Sequence, residues 1–513
     1  MRRLHLRRLH LSRAPGGPAT SAEPARLVAA MAAVALCVFV LALPAIGARA
    51  SYGAHVTADE PQYLTTAISV FEDFDLDISD ELAERRFEPF HEIDLNPQTI
   101  PLDDAGRRVS PHDPLLPALL ALPMGLGGWV AAKAALAAVA AATAAATLWL
   151  AVRRFGVDAG LAAVVTGLFF AAPPLVGYAT QVYPEMPAAL LVTLGLAAVT
   201  GPLLLGGSAL AVASIVALPW LSVKFVPAAA VLAVVLTLRL WPQHRRRLVS
   251  VMALLAVAGV AYLAFHRSVY GGWTAYASGD HFVDGEMLVL GSDPDFLGRS
   301  RRLVGLLVDR GFGIAAWNPA YLLTAPALVA LARRRPPGWA VLLAVFATVY
   351  ATATWAALTM HGWWWPGRQV VAALPVVVVA AALLLERLRG LRWLVAAGCL
   401  AGIFNWLWLV VESSTGRRTL IVDFEETANP VYQAWSALLP DHRRFTGAST
   451  ALTAVWTTAI VAAALLVWLK MRPSPPPDSA RTSPPGRDPA ERVEPPTLAD
   501  ATLPARPDPD AGR

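Results

Sequence analysis

The chain has 513 residues, 56% of them hydrophobic and only 15% charged, with a mean hydropathy of +0.51 and a formal net charge of +5. A soluble protein of this size carries roughly 25% charged residues, so a soluble globular enzyme is excluded. The arginines fall in short clusters between apolar runs rather than on one basic surface, so the positive balance points to membrane topology and not to nucleic acid. Apolar stretches long enough to cross a bilayer recur from end to end, which predicts an all-α polytopic membrane protein. The heavy use of Ala, Arg and Pro points to a high-GC bacterium.

In chain order, residues 1–26 form a basic N-terminus containing Arg2, Arg3, Arg7 and Arg8. The apolar run 27–47 is too long for a signal-peptide core and ends without a clear cleavage site, so it reads as an anchor. The periodicity then predicts spans at 128–152, 159–178, 185–205, 208–223, 225–241, 248–266, 314–332, 338–358, 369–386, 391–411 and 449–469, about twelve in all. The fifth and sixth are short and broken at Pro219 and around Lys224. Cys37 and Cys399 both fall inside spans, so neither a structural disulfide nor a metal ligand is expected.

Arginine and lysine clusters follow the second, sixth, eighth, tenth and twelfth spans, at Arg153–Arg154, Arg245–Arg247, Arg333–Arg335, Arg387 to Arg392, and Lys470 with Arg472. With the N-terminus inside, all of them face the cytoplasm, which predicts a multi-pass plasma-membrane protein with both termini cytoplasmic. The polar segments 48–113, 268–312 and 412–446 are then extracytoplasmic. The first is strongly acidic, with fifteen Asp and Glu against a handful of Arg. The expected organisation is a transmembrane domain over 27–470 and a Pro-rich cytoplasmic tail over 471–513 that cannot bury a core and should be disordered.

Five outward turns carry the unusual polar groups. Asp59 and Glu60 follow the first span, and His112 and Asp113 precede the second. Glu185 lies between the third and fourth, Lys224 between the fifth and sixth, and His361 and Arg368 between the ninth and tenth. Each has a plain structural reading. Asp59 and Glu60, with Pro61, suit the first turn of a helix, and Glu185 after Pro184 does the same. Lys224 can snorkel to the interface, Arg368 can be an ordinary flanking charge, and Trp363–Trp365 can be an interfacial belt. The set of acids and bases on one face points further, because ionisable groups at a bilayer edge are costly unless paired or wet. A carboxylate there can take a proton from an acceptor hydroxyl, and Lys, Arg and His can hold a phosphate. Together these suit group transfer from a lipid phosphate to an acceptor outside the cytoplasm.

The segments ADEPQYL, FEDFDLDIS, SPHDPLLPALLALP, YPEMPAALL and WWWPGRQVVAALP, in that order over roughly residues 27–390, resemble the GT-C superfamily of integral membrane glycosyltransferases. The resemblance is closest to the branch of protein O-mannosyltransferases and lipid A aminoarabinose transferases. It implies a GT-C-like fold, a polyprenyl-phosphate sugar as donor, and inversion at the anomeric carbon. It also implies that Asp59 is the catalytic carboxylate, Glu60 its neighbour placing the acceptor or a divalent metal, and Glu185 a second acid. It implies substrate contacts at His112, where many relatives carry Lys or His, and at Arg368. Tyr63 and His361 are further substrate-binding candidates, and Lys224 is added from its sidedness. No cofactor is expected, although a metal at Asp59 and Glu60 fits the pattern. The expected partners are the lipid donor, an extracytoplasmic lipid, glycan or protein acceptor, and the bilayer. Two other classes compete: a transporter or flippase of lipid-linked precursors, which wants its charges near the midplane, and a non-catalytic envelope-assembly protein.

Overall fold

Proline and glycine divide the apolar runs into the helices that form. In the computed structural model, which describes residues 22–241, 244–275, 295–444 and 446–471, helix α1 spans Ala22–Ala42 and gives way to a 3-10 turn at Leu43–Ala45 around Pro44. Helix α2 (Glu60–Glu72) and the short α3 (Ser79–Ala83) lie in the first polar segment. There a two-residue antiparallel ribbon pairs β1 (Ile100–Pro101) with β2 (Arg108–Val109), Ile100 opposite Val109.

Helix α4 (Leu115–Phe155) is broken at Gly127 and Gly128, the second of which has φ 63°. The predicted span 128–152 is therefore its second half, and a further apolar segment precedes it. Helix α5 (Ala159–Phe170) stops short of the predicted 178, ahead of Pro173–Pro174, and a proline disfavours helical geometry in the residue before it. Helices α6 (Glu185–Val199), α7 (Leu205–Leu221), α8 (Val226–Leu240) and α9 (Arg245–Val269) follow. Pro219 is accommodated inside α7, and the actual break before α8 is extended Ser222.

Short helices α10 (Phe296–Arg299) and α11 (Arg302–Val308) lead to the region predicted as one span over 314–332. That region is divided into α12 (Ile314–Trp317), a 3-10 turn Pro319–Leu323 and α13 (Thr324–Arg334). Extended Asn318 precedes Pro319, and its side chain caps Ala320 instead of continuing the helix. Helices α14 (Trp339–Ala351), α15 (Leu374–Arg387), α16 (Arg392–Ser414), α17 (Pro430–Ser436) and α18 (Gly447–Lys470) complete the described chain.

Among the described residues, eight helical stretches are long and apolar enough to cross a membrane, and three apolar helices, α5, α6 and α7, are shorter. Together with the divided 314–334 region, every predicted span contains helix. Large apolar side chains stand exposed along the outer helices, for example Leu36 and Val40 on α1, Val257 and Val260 on α9, and Leu465 and Leu469 on α18. Such a surface is that of an integral membrane protein. Cys37 and Cys399 are free. The expected N-terminal stretch and the tail lie outside the described residues, apart from 22–26 and Met471, as does much of the 268–312 loop.

Helix α15 is the axis. Leu374 to Leu385 are all buried, and α4, α5 and α13 pack around them. At one end of the bundle, arginines bond helix-end carbonyls: Arg154 donates to Ala197 O, Arg239 to Val199 O and Gly201 O, and Arg247 to Leu203 O. Arg334 pairs with Glu386 at 2.9 Å there. The predicted site residues lie at the opposite ends of the same helices: Glu185 opens α6, and Arg368 opens the 3-10 turn that runs into α15.

Candidate active site

Four of the sequence-nominated residues form one chain of charges. Arg368 Nη2 donates to Asp59 Oδ2 at 2.7 Å, and its Nε donates to Glu185 Oε1 at 3.0 Å. Lys224 Nζ donates to the same Glu185 oxygen at 2.5 Å. His112 Nε2 lies 3.9 Å from Asp59 Oδ2, and its Nδ1 is 2.7 Å from Ser110 Oγ. The other Glu185 oxygen, Oε2, is buried without a hydrogen-bond partner.

The local sequence explains how each group is held. Asp59 precedes α2 but makes no side-chain cap, so its carboxylate is free to reach Arg368. Ala58, immediately before it, adopts φ 54°, a left-handed conformation rare for a residue with a Cβ. Asp59 and Glu185 stand at the N-terminal ends of α2 and α6. Gly367, at φ 86°, packs its backbone against Ile314 and Pro174, where a Cβ would come within 2.6 Å of the Ile314 side chain. Arg368 is thereby fixed at the start of the buried axis, its guanidinium carbon 3.9 Å from the Tyr183 ring centre and 4.8 Å from that of Trp364.

Electrostatically the Asp59 carboxyl is pulled both ways. Burial alone would raise it, but Arg368 and then His112 outweigh burial and hold it well below the usual carboxylate range. Glu60 moves the other way: burial raises it, against Lys133 and two backbone N–H groups. Those groups are Thr57 N at 2.9 Å on Oε2 and Val182 N at 2.7 Å on Oε1. Glu60 thus ties the start of α2 to the segment leading into α6.

Two solved structures of ArnT are similar to this chain. ArnT from Cupriavidus metallidurans bound to undecaprenyl phosphate is 17% identical over 86% of this chain and 72% of the other, with a TM-score of 0.49. ArnT from the same organism in the apo state is 15% identical over 88% and 78%, again at 0.49. No protein-family model matches the chain, and no curated protein matches it.

Three nominated residues stand differently from the rest. Glu60 does not face the charge chain; both of its oxygens are taken by backbone N–H groups. A divalent metal shared between Asp59 and Glu60 does not fit, because both Glu60 oxygens accept from backbone N–H groups and Asp59 Oδ2 faces a guanidinium. Tyr63 is buried, its ring 4.5 Å from that of His112, and it backs the imidazole. His361 belongs to another group: its Nε2 lies 3.7 Å from Asp309, which His442 Nδ1 approaches to 3.3 Å. With Arg301, Arg302 and His442 it lines a separate cavity of about 200 Å³.

Asp113, beside His112, is structural: Oδ1 accepts from Tyr262 at 3.3 Å and lies 2.8 Å from His266 Nε2, while Oδ2 accepts from Val223 N. It pins α9 and the turn next to Lys224. Tyr183 and Trp364 are the site neighbours that sequence reasoning missed. Tyr183 stands two residues before Glu185 in YPEMPAALL, a signal that was legible. Trp364 sits in the triple-Trp run whose members part company: Trp363 is exposed, Trp365 is core, and only Trp364 reaches Arg368.

Proposed function

We propose that this protein is a membrane glycosyltransferase that moves a sugar from a polyprenyl-phosphate donor to an extracytoplasmic acceptor with inversion. The observation that carries the reading is Arg368 bridging Asp59 and Glu185 with Lys224 alongside, at one end of an apolar bundle. Two cations suit a lipid phosphate delivered from the bilayer, Arg as a planar fork and Lys as a point charge. A carboxylate suits proton removal from an acceptor hydroxyl arriving from water. The order of the segments that resemble the GT-C transferases supports the same assignment.

In this mechanism the donor phosphate takes Arg368 and Lys224 as partners. Arg368 then neutralises Asp59 less, and the carboxylate becomes a stronger base as the donor binds. The acceptor oxygen forms its bond to the anomeric carbon while the bond to the phosphate oxygen breaks. The acceptor proton passes to Asp59, and the released phosphate monoester keeps the electron pair beside Arg368 and Lys224. Glu185 Oε2 is available to accept a hydrogen bond from a sugar hydroxyl. His112 lies beside Asp59 and completes its surroundings. A transporter would want its ionisable groups midway along the spans; Glu185, Lys224 and Arg368 stand at helix starts.

The test is release of polyprenyl phosphate by purified protein given a panel of polyprenyl-phosphate sugars. We expect release with at least one donor and loss of donor binding in Arg368→Ala, with Arg368→Lys already impaired. Absence of release across the panel, together with transbilayer movement of a labelled donor, overturns the assignment in favour of a flippase.

A further inference from the structure

The acidic stretch FEDFDLDISDEL, residues 71–82, takes no part in the charge chain around Arg368. It begins at the end of α2 and continues into α3. One carboxylate oxygen from each of Asp73, Asp80 and Glu81 lies within 4.8 Å of the other two. Asp73 and Asp80 are exposed. Glu81 is not: it is 2% exposed, and its Oε2 is buried with no hydrogen-bond partner. A buried carboxylate oxygen without a donor is costly unless it is protonated or meets a cation. Arg86, whose charge reaches these acids, is already paired with Glu72 at 2.6 Å and Glu84 at 3.8 Å.

We infer that Asp73, Asp80 and Glu81 form a calcium site in the first polar segment, with the buried Glu81 carboxylate as its inner ligand and water completing its open side. All three donors are carboxylates, which suits a hard cation and not a thiolate- or imidazole-seeking metal. Their irregular spacing suits Ca²⁺, which accepts six to eight oxygens in flexible geometry, better than Mg²⁺, which demands a near-ideal octahedron. Asp73 is the C-cap of α2, and Asp80 and Glu81 belong to α3. A bound ion would therefore join the far end of α2 to the loop that folds back beneath it. The inference does not depend on the transferase reading, since it concerns an end of α2 remote from Asp59.

The test is calcium titration by calorimetry of the full-length protein in nanodiscs, with Mg²⁺ as control. We expect one Ca²⁺ per chain with Kd on the order of 10⁻⁴ M, in the range of extracellular calcium modules, and weaker Mg²⁺ binding. Glu81→Gln and, separately, Asp73→Asn combined with Asp80→Asn should each weaken Ca²⁺ at least about tenfold. The second variant changes only exposed side chains and so keeps the test valid if Glu81→Gln folds poorly. No binding at Ca²⁺ up to about 10 mM, or unchanged affinity in the exposed-pair variant, overturns the site. So does a Glu81→Gln protein that is more stable than the wild type while the wild type ignores calcium, because Glu81 then simply carries a proton.

Discussion

Asp59 spends its charge on Arg368 and none on the helix it precedes, and this sets what its removal should do. Under the proposed mechanism, Asp59→Asn keeps the shape of the side chain but removes the group that would take the acceptor proton. Turnover should fall on the order of 10²–10⁴-fold, the usual span for positioned acid–base catalysis. Donor affinity should rise, because Arg368 no longer has Asp59 as a competing partner; steady-state kinetics and equilibrium donor binding separate the two effects. Unchanged turnover would reduce the Asp59–Arg368 pair to a structural clamp. A pH dependence follows from the same contact. The folded carboxyl is held below its ordinary value of about 3.9, so the stability it contributes is complete above that pH and is lost as pH falls toward the folded value. The difference in unfolding temperature between wild type and Asp59→Asn should therefore be flat from about pH 8 to 5 and shrink only below about pH 4. A difference that already fades near pH 6 would overturn this account of the Asp59–Arg368 contact.

At the scale of elements, the approach of α16 to the 3-10 turn at Pro319–Leu323 depends on two glycines one turn apart. A Cβ on Gly398 would lie 2.6 Å from the backbone nitrogen of Ala320, and one on Gly402 would lie 3.1 Å from the side chains of Ala172 and Asn318. Small residues at such crossings let helix backbones meet. Gly398→Ala should therefore cost about 1–3 kcal/mol, as overpacking does elsewhere, read as a lower unfolding temperature in detergent; Gly390→Ala, which has open space, should not. The elements also mark how far the sequence could be read. Apolar length and Arg clusters located helix in every span, because burial in lipid leaves a strong compositional trace. The subdivision of 314–334 and the early stop of α5 needed attention to Pro319 and Pro173–Pro174 rather than to hydropathy. In the site, Asp59, His112, Glu185, Lys224 and Arg368 were nominated from their positions at helix ends, and they do meet. His361 was nominated by the same logic and joins Asp309 instead, because a shared end of the bundle says nothing about lateral neighbours. The Asp113–His266 contact joins residues 153 apart in sequence and has no local signature.

For the whole molecule, sidedness has a direct check. In a Cys37→Ser background, Phe74→Cys, 89% exposed in the first polar segment, should react with an impermeant thiol reagent in intact cells. Arg153→Cys, at the exposed far end of α4, should not. The reverse pattern would invert the topology. The buried axis has a further consequence, concerning length. From Arg368 to Arg387 it runs 20 residues, six in a 3-10 turn and 14 in α15, without a polar side chain after Gln369 until Glu386. At ordinary rises this is about 30 Å, one hydrocarbon thickness, with a fixed charge at each end. Because α15 is enclosed by other helices, it cannot tilt alone to suit a thinner or thicker bilayer, so mismatch must be met by the lipid. The protein thus carries its own ruler, and, on the proposed function, acyl-chain length sets the depth at which Arg368 would meet a lipid phosphate. In vesicles of graded chain length, donor turnover should pass through a maximum and fall on both sides; a flat profile would mean that lipid depth does not govern access to Arg368.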